Sequence, residues 1–143
     1  MTTRETFADP RVFKIEVALL REALAVMRAQ LFGTVDLPGS PVRLLALGIR
    51  FAPRPILYRI LRPMVSGGRG DKPPSLLVDM RSGRTQSEID ELNGAIVQAG
   101  RASGVKTPVN AALVGIMHDL LEGKADRAAW RRNVDRLAQL TAA

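Results

Sequence analysis

Residues able to do chemistry are concentrated between Lys72 and Asn110, in the stretch KPPSLLVDMRSGRTQSEIDELNGAIVQAGRASGVKTPVN. Ser75 follows Lys72-Pro73-Pro74. Glu88 opens Glu88-Ile89-Asp90, thirteen positions later. A serine hydroxyl can donate or accept a hydrogen bond, and a carboxylate accepts from a hydroxyl. Each residue also has a purely structural reading. Glu88 completes Thr85-Gln86-Ser87-Glu88, a capping-box pattern in which its side chain reaches back to the N-cap amide. Ser75 reads equally as a plain position in the first turn of a helix that Pro74 opens.

Other chemistry is excluded or weakly indicated. The chain has no cysteine, so thiolate catalysis, disulfides and cysteine-based zinc sites are ruled out. Its one histidine, His118, cannot build a two-histidine metal site or a relay, and beside Asp119 it reads as solvated. We therefore assign no metal ligand. Gly67-Gly68-Arg69-Gly70 lacks the strand before and the helix after that a dinucleotide fingerprint needs. Asp79 and Asp90 read as structural acids that fix helix ends or pair with an arginine. Gly94 reads as a close helix–helix contact, with Asn93 bonding nearby backbone, and Thr107 as a helix N-cap.

The elements that must position these residues are helical from end to end. Asp9-Pro10 is an N-cap with proline at the first helical position. Phe13, Val17, Leu20, Leu24, Met27 and Leu31 then recur at steps of four and three. A second stripe of Ile15, Leu19 and Val26 widens the apolar arc, and the helix should end near Gly33. Two short amphipathic helices follow, PVRLLALGIRFA and ILYRILRPMV, broken by Pro53 and Pro55, and then a flexible glycine loop at 66–70. Pro74 opens a short helix through Met80. The next should bury Ile89, Leu92, Ile96 and Ala99 and stop near Gly104. Thr107-Pro108 starts a stripe of Val109, Ala112, Leu113, Ile116, Met117, Leu120 and Leu121. The last helix should turn Trp130, Val134 and Leu137 inward, with Arg127, Arg131, Arg132 and Arg136 outward.

At 143 residues, 46% apolar and 24% charged, the chain has the composition of one ordinary folded domain. The N-terminus is no secretory signal, and no run could span a bilayer. The net charge is +7. Arg43, Arg50, Arg54, Arg59, Arg62 and Arg69 fall in residues 37–70, which hold no acid. Such a stripe can serve anionic substrates, nucleic acid or a membrane surface. The aromatic interleaving that stacks bases is missing. Our reading is an arginine face solvated by water, with no specific nucleic-acid partner and no membrane.

In order and spacing, Lys72-Pro73-Pro74-Ser75, Ser87-Glu88-Ile89-Asp90, Leu92-Asn93-Gly94 and Thr107-Pro108-Val109-Asn110 resemble the C-terminal helical domain of the ketopantoate reductase (2-dehydropantoate 2-reductase) family. The resemblance covers nearly the whole chain and is strongest from Lys72 to Asn110. It implies an all-α bundle of five to seven helices of the 6-phosphogluconate dehydrogenase C-terminal-like kind, one domain over residues 1–143. It also implies a cytoplasmic NADPH-dependent oxidoreductase of pantothenate biosynthesis that reduces an α-keto acid. Carried over position by position, Ser75 and Glu88 bind the substrate, and Glu88 also lies beside the cofactor. The spacing between them is one residue longer than the commoner family form, and the extra residue falls in the turn Ser82–Ser87.

The family's proton donor is a lysine upstream of the stretch matching Phe7-Ala8-Asp9-Pro10. Lys14, Lys72, Lys106 and Lys124 match other places, so we assign no catalytic residue. The resemblance implies an N-terminal Rossmann domain that holds NADP, and none is found here. The chain alone should then bind no cofactor and be inactive. It would need a Rossmann-domain partner, take a small keto or hydroxy acid, and form a homo-oligomer through exposed apolar helix faces. Two other classes stay open: a stand-alone non-catalytic helical domain that binds a small acid or a protein, and a basic amphipathic protein that docks on membrane or nucleic acid through residues 41–64.

Overall fold

The computed structural model describes residues 9–69, 88–131 and 133–139, with backbone alone for 62–69. The described residues form helices throughout, and their one β feature is an isolated bridge between Leu37 and Ser40. Helix α1 spans Pro10–Ala29, α2 Val42–Phe51 and α3 Arg54–Arg69. Residues 88 and 89 are helical, Asp90–Gly94 form a π-helical turn, and α4 continues over Ala95–Ser103. Helix α5 spans Pro108–Leu121, α6 Arg127–Trp130 and α7 Val134–Ala138. The all-α expectation holds. Ser75, the helix expected at 74–80 and the capping-box residues Thr85 to Ser87 lie outside the described residues, as does Arg132.

Helix α1 is the spine. Asp9 caps it by accepting from the Arg11 N–H at 2.9 Å, with Pro10 pre-set for the first turn. Its apolar arc buries Val12, Phe13, Ile15, Val17 and Val26. Phe13 and Val17 join Ile49, Leu57 and Leu61 from α2 and α3 in one cluster. Phe13 meets Tyr58 edge-on at 5.1 Å, the arrangement that ring quadrupoles favour. Burying each large apolar side chain here contributes about 1.5–3 kcal/mol. Arg21 joins α1 to the end of α2 by donating to the carbonyls of Ile49 at 2.7 Å and Ala52 at 3.2 Å. Those carbonyls belong to the last turn of α2, which has few partners of its own.

Several sequence expectations need correction. Helix α1 stops at Ala29 rather than near Gly33, because Leu31 takes a left-handed conformation with φ 62°. Helix α3 runs on through Arg69, so residues 66–69 are helical rather than loop. A propagating helix gains a hydrogen bond per added residue, which here outweighs the roughly 1 kcal/mol that each glycine costs. Leu92 is exposed rather than buried. Ile89 is buried as expected, and past the wider π turn Val97 faces inward in place of Leu92. The C-terminal helix is two short pieces. Their Trp130 is half-buried under the Arg136 guanidinium, which lies 4.2 Å from the ring centroid. The indole Nε1 is buried with no hydrogen-bond partner among the described residues.

Candidate functional site

Glu88 stands on the surface at the start of the π turn. Three ties hold the turn that carries it. Ile89 is fully buried and anchors the backbone beside Glu88. The Asp90 carboxylate lies 2.8 Å from Nε2 of His118 on α5. The Asn93 amide donates to Oδ1 of Asn110 at 2.8 Å. The exposed acid is thus presented on a scaffold fixed to α5 along its length.

Asn110 is fully buried and fully used. Its side-chain amide donates to the Leu19 carbonyl at 3.3 Å and to Glu22 Oε2 at 2.6 Å. Its backbone N–H donates to Glu22 Oε2 at 2.9 Å, and the Val109 N–H to Glu22 Oε1 at 2.8 Å. Glu22 of α1 therefore caps α5. A carboxylate in that place satisfies orphan amides and complements the positive end of the helix dipole. Thr107 occupies the N-cap position without using its side chain for capping. The path Glu22–Asn110–Asn93 joins α1 to the turn bearing Glu88.

These partners differ from the sequence reading in four places. Asn93 bonds a side chain, not nearby backbone. Asp90 pairs with His118 rather than an arginine, and His118 is engaged rather than simply solvated. The tight glycine is Gly100, not Gly94. A Cβ at Gly100 would lie 2.8 Å from the Val105 carbonyl oxygen and 2.9 Å from the Thr107 methyl. One at Gly94 would meet nothing nearer than 3.6 Å. Sequence reasoning also missed Glu22. Its signal was there: in the stripe Ile15, Leu19, Val26, position 22 is the empty seat, and a charge in an apolar seat implies a buried partner.

What the described site can do is narrow. It offers the exposed carboxylates of Glu88 and Glu91 on a braced turn. Asn110 acts as a support for the turn, and Asn93 spends one amide hydrogen on it.

An all-helical domain with an acid displayed on a braced helix start is the class defined by fold and site. Residues 1–121 match the family model described as "Ketopantoate reductase PanE/ApbA C terminal", and the chain belongs to that family. A stretch of 37 residues is 54% identical to 2-dehydropantoate 2-reductase of Aquifex aeolicus (strain VF5). The match covers 26% of this chain and only 11% of that relative. No solved structure matches the chain. Among the described residues, no helix is long and apolar enough to cross a membrane.

Proposed function

We propose that this chain is the substrate-side helical domain of a ketopantoate reductase-like, NADPH-dependent oxidoreductase of the cytoplasm, acting in pantothenate biosynthesis. Glu88 accepts a hydrogen bond from a substrate hydroxyl, and Ser75 donates to an oxygen of the small keto or hydroxy acid. A Rossmann domain, on this polypeptide or another, holds the dinucleotide. The observation that carries the proposal is the membership of residues 1–121 in the family, together with the bracing of Glu88 by Ile89, Asp90–His118 and Asn93–Asn110.

The cofactor fits these residues only in part. Glu88 can accept from a donor on a bound dinucleotide. The described helices, however, include no strand–glycine–helix turn that could cradle a pyrophosphate. NADPH supplies the hydride when bound. Ser75 and Glu88 orient the substrate in this proposal, and the alkoxide that forms takes its proton from a group other than these two. On this reading the chain alone neither binds NADPH nor turns over.

The test pairs the purified chain with a separately expressed dinucleotide-binding domain of a ketopantoate reductase and follows NADPH oxidation with ketopantoate. The chain alone should give no turnover and the pair should. Glu88→Gln and Ser75→Ala should weaken the pair through KM. Turnover by the chain alone, or indifference to both substitutions, would refute the reading.

A further inference from the structure

The arginines of residues 37–70 read in sequence as a water-solvated face. The structure places a wide apolar surface beside them. Just past the end of α1 stands Leu31, a non-glycine residue at φ 62° that is 93% exposed. Phe32, Val35 and Leu37 follow in the same loop and are exposed, as are Leu44 and Leu47 on α2. A bulky apolar residue in the left-handed region is uncommon, and one with almost no neighbours gains nothing from packing. Contiguous exposed apolar surface of this kind marks an interaction site.

The loop borders a groove of about 420 Å³ between the end of α1 and α2. Leu24, Met27 and Leu47 contribute to its floor, and Arg28, Arg43 and Arg50 to its lining. No acidic residue lines it. Asp36, the acid in the loop, accepts from the Arg43 backbone N–H at 2.7 Å. No lining residue comes from α4 or α5, so the surface is built separately from the turn that carries Glu88.

We propose that this end of the bundle docks on an anionic lipid bilayer. Leu31 and Phe32 enter the headgroup boundary, and Arg28 and Arg50 meet the lipid anions, while the Arg43 guanidinium holds the loop through the Thr34 carbonyl and Asp36. Charge decides against a second copy of the chain, since two such faces would bring arginines against arginines. Leu31 lines one edge of the groove yet stands 93% exposed above it, a protruding side chain of the kind that a fluid interface can envelop. Apolar residues beside basic ones are what an interfacial protein presents to acidic lipid.

The experiment is co-sedimentation of the full chain with phosphatidylcholine vesicles and with three-to-one phosphatidylcholine–phosphatidylserine vesicles, at physiological salt. Binding is expected to the serine-containing vesicles only, and to fall as salt rises. Leu31→Ser with Phe32→Ser should weaken it roughly tenfold, because buried apolar area and charge both contribute to interfacial binding. Arg28→Gln with Arg50→Gln should weaken it similarly. The charge-matched control, Arg101→Gln with Arg131→Gln, should leave it near wild type. Circular dichroism melting should be unchanged by the serine pair, since both positions are exposed.

No binding at physiological salt would overturn the proposal, and so would equal partition to both vesicles. Equal loss from the control pair would show adsorption by net charge alone. A dimer abolished by the serine pair, without lipid binding, would assign the face to a second copy.

Discussion

Glu22 and Asn110 lie 88 positions apart in sequence, yet one Glu22 oxygen accepts from both the backbone and the side-chain nitrogen of Asn110, at 2.9 and 2.6 Å. The other oxygen accepts from Val109. One side chain therefore closes the start of α5, orients the buried amide and docks α1.

Glu22→Ala should lower the stability of the chain by about 3 kcal/mol, because it strands the Val109 and Asn110 donors in a half-buried site. Glu22→Gln keeps the shape but turns one acceptor into a donor facing an N–H, and should recover only part of the loss. Urea unfolding with an unchanged slope would measure both. A change under about 0.5 kcal/mol for alanine, the size of an ordinary surface substitution, would show the cap to be incidental.

Gly100→Ala and Gly94→Ala should separate cleanly. The first forces a Cβ against the Val105 carbonyl and the Thr107 methyl and should cost about 1–3 kcal/mol. The second has room and should be neutral or stabilising by up to about 1 kcal/mol. Thermal melts of the two variants check this, and the opposite ranking would contradict the packing described.

His118→Ala removes an exposed pair and should change global stability by less than about 1 kcal/mol. Its effect should be local. Amide hydrogen exchange at residues 88–92 should speed up, while exchange in α1 stays as in the wild type. Unaltered exchange at Glu88 would mean that Ile89 and Asn93 suffice to hold the turn.

Asp9 titrates below the ordinary aspartate range, chiefly because the Arg11 side chain hydrogen-bonds its carboxylate. A carboxyl with a depressed folded-state pKa contributes stability that is present above its unfolded value. That stability fades as the pH falls through the folded value. Asp9→Asn should therefore be less stable than wild type at neutral pH, with the gap narrowing as the pH drops below about 4. Paired melts at neutral and acid pH test the sign; a gap that widens in acid would reverse it.

How much of this was legible depended on range. The cap at Asp9-Pro10 and the burial of Phe13 and Val17 are local features and appear as read, whereas Leu20 and Leu31 of the same stripe are exposed. The exposure of Leu92 was hidden because a uniform 3.6-residue period cannot register a π turn. The choice of Gly100 over Gly94 was hidden for a different reason. The tight neighbours Val105 and Thr107 meet Gly100 only after the chain turns at Gly104, which adopts φ 68°. At the site, Glu88 could be named from its motif, but its supports could not. Asn110 finds Glu22, and Asp90 finds His118, only once separate helices are packed.

The chain holds a single tryptophan. Trp130 is covered on one ring face by Arg136 and has its Nε1 shielded from solvent. The protein thus carries one tryptophan fluorophore, and it sits in the C-terminal pieces rather than on the turn of Glu88. Its emission reports the docking of α6 and α7, with a red shift when that end frays. A tryptophan fluorescence titration thus follows that end of the chain, and occupancy at the acid is read directly by calorimetry or by resonances of the Glu88 turn.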